Sequence, residues 1–286
     1  MFVNMTKIKL ENISYVYGAG TPYELLALND VDLEIEEGSV TGIIGHTGSG
    51  KSTLMQLLNG LERPASGKIY LDGVDIWENS KKISQIRFRV GLVMQYPEYQ
   101  LFEETVAKDI AYGPSNMCLE KTEIDRRVLN AANIVGLSPE LLNKSPFDLS
   151  GGEKRRAAIA GVMAMAPEVL VLDEPAAGLD PVGRSTIFNA ISKYRAETGA
   201  TIVIVSHSME DMARICDNII VMSSGRVVMS GKTDEVFSHA DILAENGLDI
   251  PEISKLMLKL RDMGVVIEDI PYTVADALKI IKKEKI

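Results

Sequence analysis

Nine residues, Gly45-His46-Thr47-Gly48-Ser49-Gly50-Lys51-Ser52-Thr53, constrain this chain more than any others. They fit G-x-x-x-x-G-K-[ST], with the apolar run Val40–Ile44 before them and the helical pattern Lys51–Leu58 after them. A strand that passes into a helix through such a turn leaves successive backbone N–H groups and a positive helix end aimed at one spot. That spot is an anion site, and the glycines let the main chain wrap a phosphate closely. The spacing assigns Gly45, Thr47, Gly48, Ser49, Gly50 and Thr53 to a phosphate cradle. It brings Lys51 to the β- and γ-phosphates and gives the Ser52 hydroxyl to Mg²⁺. His46 fills a wildcard position and reads as a loop residue.

Val169-Leu170-Val171-Leu172-Asp173-Glu174-Pro175 is an apolar strand ending in two carboxylates. In open α/β sheets ligands sit beyond the carboxyl ends of the strands, the edge that also carries the phosphate turn. Asp173 then holds Mg²⁺ through water, since that ion keeps much of its hydration. Glu174 faces the γ-phosphate and polarises an attacking water. Without the phosphate turn, the same pair would read as an ordinary acidic loop.

Strand patterns are expected at Lys7–Val16, Leu28–Ile35, Val40–Ile44, Lys68–Leu71, Val90–Val93, Val169–Leu172, Thr201–Val205 and Asn218–Met222. The first two alternate, as in an antiparallel sheet with one wet face, whereas Val169–Leu172 and Thr201–Val205 are continuously apolar, as in parallel strands covered on both sides. Helical patterns at Lys51–Leu58, Thr122–Val135, Gly152–Met165 and Val182–Glu197 fall between them, which predicts an α/β fold with a parallel core sheet. Gly225 marks a late hairpin. The mainly helical stretch from about 83 to 166 reads as an inserted subdomain. Past Phe237 the pattern changes. Pro251 opens one helix through Ile253, Leu256, Met257 and Leu260, and Thr273 with Asp276 resembles a capping box opening another. The expected division is an ATP-binding domain over 1–237 and a helical appendage over 238–286.

Composition narrows the surroundings. The chain has 286 residues, 30 Lys+Arg and 40 Asp+Glu, a net charge of −10, and only two cysteines, far apart. That length buries a large core without disulfides or a structural metal, and Cys118 and Cys216 read as reduced. The acidic balance opposes a phosphate backbone at long range, so no nucleic-acid partner is expected. No apolar run reaches the ~18–20 residues that cross a bilayer. The start, MFVNMTKIKLEN, lacks a secretory pattern.

Leu149-Ser150-Gly151-Gly152-Glu153 adds the decisive motif. LSGGE before a helix, 20 residues ahead of Asp173, resembles the signature of ATP-binding-cassette (ABC) ATPases. The resemblance covers about residues 5–235. Gln95 matches the Q-loop, Ala177-Gly178-Leu179-Asp180 the D-loop, His207 the switch histidine and Tyr17 the aromatic that stacks on adenine; Tyr15 shares its strand face. The resemblance implies a P-loop ABC ATPase with an antiparallel β subdomain, an inserted helical subdomain, and ATP and Mg²⁺ as ligands. It assigns Gln95 to Mg²⁺ or the lytic water, His207 to the γ-phosphate, and Ser150, Gly151 and Gly152 to the γ-phosphate on Lys51 of a second, head-to-tail chain. A Ser-Gly-Gly turn at a helix N-terminus is physically suited to that role. Two departures are mild: Glu153 stands where Gln is commoner, and Ala176-Ala177 where Thr or Ser usually precedes Ala or Gly.

GTPYELLALNDVDLEI, QYPEYQLFEETVAKDIAYGP and LSGGEKRRAAIAGVMAMAPEVLVLDEPAAGLDP resemble energy-coupling factor (ECF) transporter ATPases, most like the second of their two paralogous ATPases. That likeness implies a heterodimer with a paralogous ATPase at the cytoplasmic face of the membrane. It also implies a transmembrane T subunit with basic coupling helices and, indirectly, S subunits that bind vitamins or related micronutrients. An ATPase subunit of another ABC importer, for cobalt or nickel, is the alternative, followed by a soluble non-transport ABC ATPase. Only 54 residues separate Gln95 from Leu149, too few for the long coiled coils of the DNA-repair members.

Overall fold

The computed structural model describes residues 5–267 and 270–284. In chain order these form β1 (Thr6–Tyr17), β2 (Leu25–Glu36), β3 (Val40–Ile44), α1 (Lys51–Leu58), β4 (Ser66–Leu71), β5 (Val74–Asp75), α2 (Ile83–Arg89) and β6 (Val90–Val93). Next come α3 (Val106–Asn116), α4 (Lys121–Ile134), α5 (Gly151–Met163), β7 (Val169–Asp173), α6 (Pro181–Thr198), β8 (Thr201–Val205), α7 (Met209–Ile215), β9 (Asn218–Ser223) and β10 (Arg226–Lys232). Four helices close the chain: α8 (Thr233–Ser238), α9 (Ala240–Glu245), α10 (Glu252–Asp262) and α11 (Val274–Glu284). Among the described residues no helix is long and apolar enough to cross a membrane.

Two sheets divide the work. One has four antiparallel strands in the order β2-β1-β4-β5; the other has six in the order β10-β9-β3-β8-β7-β6, parallel except for the β9–β10 hairpin. The continuous apolar runs are explained by two-sided burial. Val169, Val171, Val203 and Val205 face α1 and the antiparallel sheet, while Leu170, Leu172, Ile202 and Ile204 face the helices on the other side. Helix α1 is sandwiched between the sheets through Leu54, Met55, Leu57 and Leu58. An ion network also ties them: Lys7 on β1 reaches Asp72 (2.9 Å) and Glu168 (2.6 Å), and Arg89 pairs with the same two carboxylates.

The stretch 83–166, read as helical, contains Val90–Val93, which pair with β7 in the parallel sheet. Between β6 and β7 lie α3, α4 and α5, packed on the same large core. Helix α3 is not among the helical patterns expected from the sequence. Pro114 falls in its last turn, where the missing N–H removes a single bond, and Gly113 lets α5's neighbour Met165 approach closely. At the other boundary, Leu243 and Ile250 lie past residue 237 yet belong to the large core, and Tyr272 packs on Phe237. The separate small core of the last helices is Met257, Ile267 and Ala277. Thr273 does cap α11: its hydroxyl bonds to Asp276 and accepts from the Asp276 N–H.

The central strand β8 is buried at every position, so a cavity there is felt by both layers. Ile204→Ala should cost about 2–5 kcal/mol and lower the thermal midpoint by roughly 5–15 °C, read by calorimetry.

Candidate active site

The turn after β3 is built by packing as much as by its glycines. A Cβ on Gly45 would stand 2.4 Å from the Met222 carbonyl oxygen and 2.5 Å from Ser49 Oγ. Gly50 has φ +100°, and a Cβ there would meet the Ala27 carbonyl oxygen at 2.8 Å, so the hand-over into α1 admits only glycine. Gly50 caps α1 without a side chain, which leaves the first-turn N–H groups for a ligand. Ser49 is buried beneath the turn. Lys51 is buried too, with Nζ donating to the carbonyls of Gly45 (2.7 Å) and His46 (2.9 Å). Burial holds its pKa below the usual lysine value, although Glu174 and Asp173 oppose that shift.

Tyr17, Thr47, Gly48, Gly50, Lys51, Ser52, Thr53, Gln95, Asp173, Glu174 and His207 line one cavity of about 410 Å³. Leu25, Leu26 and Ala27 of β2 form its apolar end beside Tyr17. The two tyrosines of β1 pack edge to face at 4.8 Å and then part: Tyr15 donates to Glu62 and packs on the core, while the Tyr17 hydroxyl bonds Thr53 Oγ1 (3.1 Å). The choice between them, open in the sequence, is made by which one faces the cavity.

At the polar end, Ser52 Oγ donates to Asp173 Oδ2 at 3.3 Å. Burial raises the Asp173 pKa. Glu174 is 8% exposed and left-handed (φ +48°), with its N–H donating to the Val205 carbonyl. Its Oε1 has no hydrogen-bond donor; His207 Nε2 lies 3.3 Å away but is not aligned for a bond. Burial, reinforced by Asp173, pushes Glu174 up to about 7. Burial and the Lys51 charge hold His207 below its ordinary value. Two adjoining carboxylates, one unsatisfied, make a site short of positive charge. A serine hydroxyl and one carboxylate suit Mg²⁺, which takes most of its remaining ligands from phosphate and water.

Ser150, Gly151 and Gly152 do not join that cavity. They line a second cleft of about 730 Å³ with Tyr96, Arg156 and the loop Ala177–Asp180. Glu153 serves where Gln is commoner. Its carboxylate accepts from the Ser150 N–H (2.8 Å) and hydroxyl (2.7 Å), and Ser150 Oγ accepts from the Glu153 N–H, a complete capping box. Asp180 caps α6 through the Gly183 N–H (2.6 Å). Sequence reasoning does not single out Arg155 and Glu98, a buried guanidinium and a half-buried carboxylate that pair beside this cleft. Fifty-seven residues separate them, and no local pattern links the two.

The buried carboxylate makes stability depend on pH. Unfolded, Glu174 titrates near 4.5; folded, near 7, so between these values the folded chain keeps a proton that the unfolded chain releases. Stability therefore falls as pH rises through that window. Glu174→Gln should raise the thermal midpoint by a few degrees at pH 8, with the gain closing toward pH 5. A pH-independent difference in thermal shift would show that burial does not hold this proton.

Comparison with known proteins agrees with this geometry. The family model described as ABC transporter matches residues 28–177. The energy-coupling factor transporter ATP-binding protein EcfA2 of Caldanaerobacter subterraneus is 53% identical over 270 residues, covering 94% of each chain. The protein of the same name from Clostridium perfringens is 53% identical over 271 residues, covering 94% of this chain and 95% of its own. The structure of cbiO1 from Clostridium perfringens, part of the ABC transporter complex cbiONQ, superimposes with a TM-score of 0.75 at 41% identity, covering 88% of this chain and 99% of that one. A dimeric ATP-binding cassette in a post-hydrolysis state, bound to ADP and Pi, superimposes with a TM-score of 0.70 at 29% identity, over 79% of this chain and 98% of its own. The chain belongs to the ABC transporter family, among the ATP-binding proteins of energy-coupling factor transporters.

Proposed function

We propose that this chain is one of two ATP-hydrolysing subunits of an energy-coupling factor importer and works head to tail with a paralogous ATPase. One observation carries the reading: the phosphate cradle and the Ser150–Gly152 turn open into separate clefts of one chain. Each is half of a γ-phosphate site, so a complete site needs a second chain.

Tyr17 stacks on adenine at the apolar end of the cavity. The N–H groups of Gly45 to Thr53 and the Lys51 ammonium hold the β- and γ-phosphates. Ser52 and Asp173, with Gln95 beside them, would hold Mg²⁺, which would supply charge neutralisation at the phosphate oxygens. The Glu174 carboxylate accepts the proton of the attacking water, and His207 orients that water against the γ-phosphate. Water adds to phosphorus, the bond to the β,γ-bridging oxygen breaks, and ADP and phosphate leave. Ionised Glu174 is the working form, and burial raises its pKa in the empty site.

We assign the ATP-binding domain to 1–237 and the appendage to 238–286. The membrane partner is a T subunit whose basic helix docks in the groove of about 350 Å³ between α3 and α5. There Phe102 and Tyr112 stand exposed, edge to face at 5.0 Å, with Phe88, Leu101 and Met165 beneath. The chain then sits peripherally on the cytoplasmic face, and S subunits bring vitamins or related micronutrients. The likeness to a cbiONQ component favours a second reading, a subunit of that kind of importer.

Glu174→Gln should bind ATP–Mg²⁺ and hold the closed dimer while turnover falls about 100-fold or more. Phosphate release and size-exclusion chromatography check both; near-normal turnover removes Glu174 from its role. Purification from detergent-solubilised membranes should recover a paralogous ATPase and a membrane subunit, and the substrate-binding protein recovered with them decides between the two importers. Recovery of a lone monomer would overturn the assignment.

A further inference from the structure

Arg155 lies one turn into α5, just past the Ser150–Gly152 turn, and is 3% exposed. Its Nε and Nη2 both donate to the Glu98 carboxylate at 2.6 Å, a bidentate pair. Its Nη1 donates to the carbonyl oxygens of Pro175 (3.2 Å) and Ala177 (2.9 Å). The Tyr96 ring packs on the guanidinium at 5.6 Å, and Tyr96 itself is held left-handed (φ +54°). Four hydrogen bonds and one ring contact from a single side chain thus join three segments. One carries Gln95, one carries the signature turn, and one leaves Glu174 for Asp180.

We propose that Arg155 is a positioning residue that makes the signature turn, the Gln95 segment and the loop after Glu174 move as one body. The inference rests on the head-to-tail reading above. A shift of α5, whether driven by a nucleotide on the second chain or by a membrane partner against α3 and α5, then reaches the main chain next to Glu174 without passing through the sheet. The chemistry of the pair argues for placement over plain stability. A buried ion pair contributes little net stability compared with an apolar pair of similar volume. A planar guanidinium, by contrast, fixes the direction of both partners, which a lysine ammonium does not. The two loop carbonyls also need donors, and Arg155 Nη1 supplies them.

The test uses the full chain with its ATPase partner and three variants. Arg155→Lys keeps the charge opposite Glu98 but loses the fork. The double variant Arg155→Met with Glu98→Met removes the pair together. Ser150→Glu, which sets a negative charge at the signature turn, tests the head-to-tail reading alone. Affinity at the cradle is read with a fluorescent ATP analogue, fold by thermal midpoint, and turnover by phosphate release. Arg155→Lys and the double variant should keep cradle affinity within about twofold and the midpoint within a few degrees, while kcat falls at least tenfold. Ser150→Glu should likewise abolish turnover. Turnover within twofold of the parent in either folded Arg155 variant overturns the proposal. If the double variant does not fold, Arg155→Lys decides. If that chain is unfolded too, the guanidinium serves folding itself, and the proposal is again overturned. Undiminished turnover in Ser150→Glu overturns the head-to-tail reading instead, whatever the Arg155 variants do.

Discussion

The parallel strands β3, β7 and β8 are covered on both faces, so polar chemistry has no place along their length and collects where they end. Register decides what meets there. Ile43 pairs with Val205, Val205 with Asp173, and Leu172 with Val93. The residues just past those positions are Gly45, His207, Glu174 and Gln95. Four stretches of chain far apart in sequence therefore deliver an anion cradle, two desolvated carboxylates and two further polar residues to one edge. A slip of one residue in any strand would turn its buried side chains to the opposite face and carry its terminal residue out of the site.

The same burial accounts for the electrostatics. Asp173 and Glu174 are desolvated together, and the Asp173 charge makes Glu174 harder still to ionise. Lys51 offsets this in part, but its ammonium is taken by the carbonyls of Gly45 and His46. Left-handed Glu174 is held by its N–H bond to Val205, which carries the strand pairing one residue beyond Asp173 and leaves Oε1 free. Such an arrangement is unfavourable for a folded chain alone and favourable once a cation and a phosphate enter, which is how binding energy is directed at the reacting centre.

Catalysis is also divided in space. The helices inserted between β6 and β7 carry the Ser150–Gly152 turn away from the cradle, and the Glu153 capping box holds that turn ready without a ligand. Arg155 then connects the inserted helices to the loop leaving Glu174 at a point remote from the phosphate cradle. The observed contacts thus join the signature turn, the Gln95 segment and the loop after Glu174 through one side chain.

Much of this was legible in the sequence because the physics is local. The Gly45–Thr53 turn is announced by its glycines and the helix after it. Two-sided burial shows as unbroken apolar runs at Val169–Leu172 and Thr201–Val205, and a Ser-Gly-Gly turn before a helix announces its own cap. Other features follow from contacts that no local pattern encodes. The strand expected at Val90–Val93 takes its place in the parallel sheet because β7 pairs with it, helix α3 runs past Pro114 to Asn116 because the lost N–H falls in the last turn, and Leu243 and Ile250 extend the large core past Phe237. Tyr17 rather than Tyr15 reaches the cavity because Tyr15 is bonded to Glu62. The sequence by itself determined the chemistry, since phosphate and metal recognition reside in short runs whose spacing sets backbone and charge. Tertiary structure alone decided the wiring, including the separation of the two half-sites and the Arg155–Glu98 link, because those depend on distances between residues that the chain brings together only by folding.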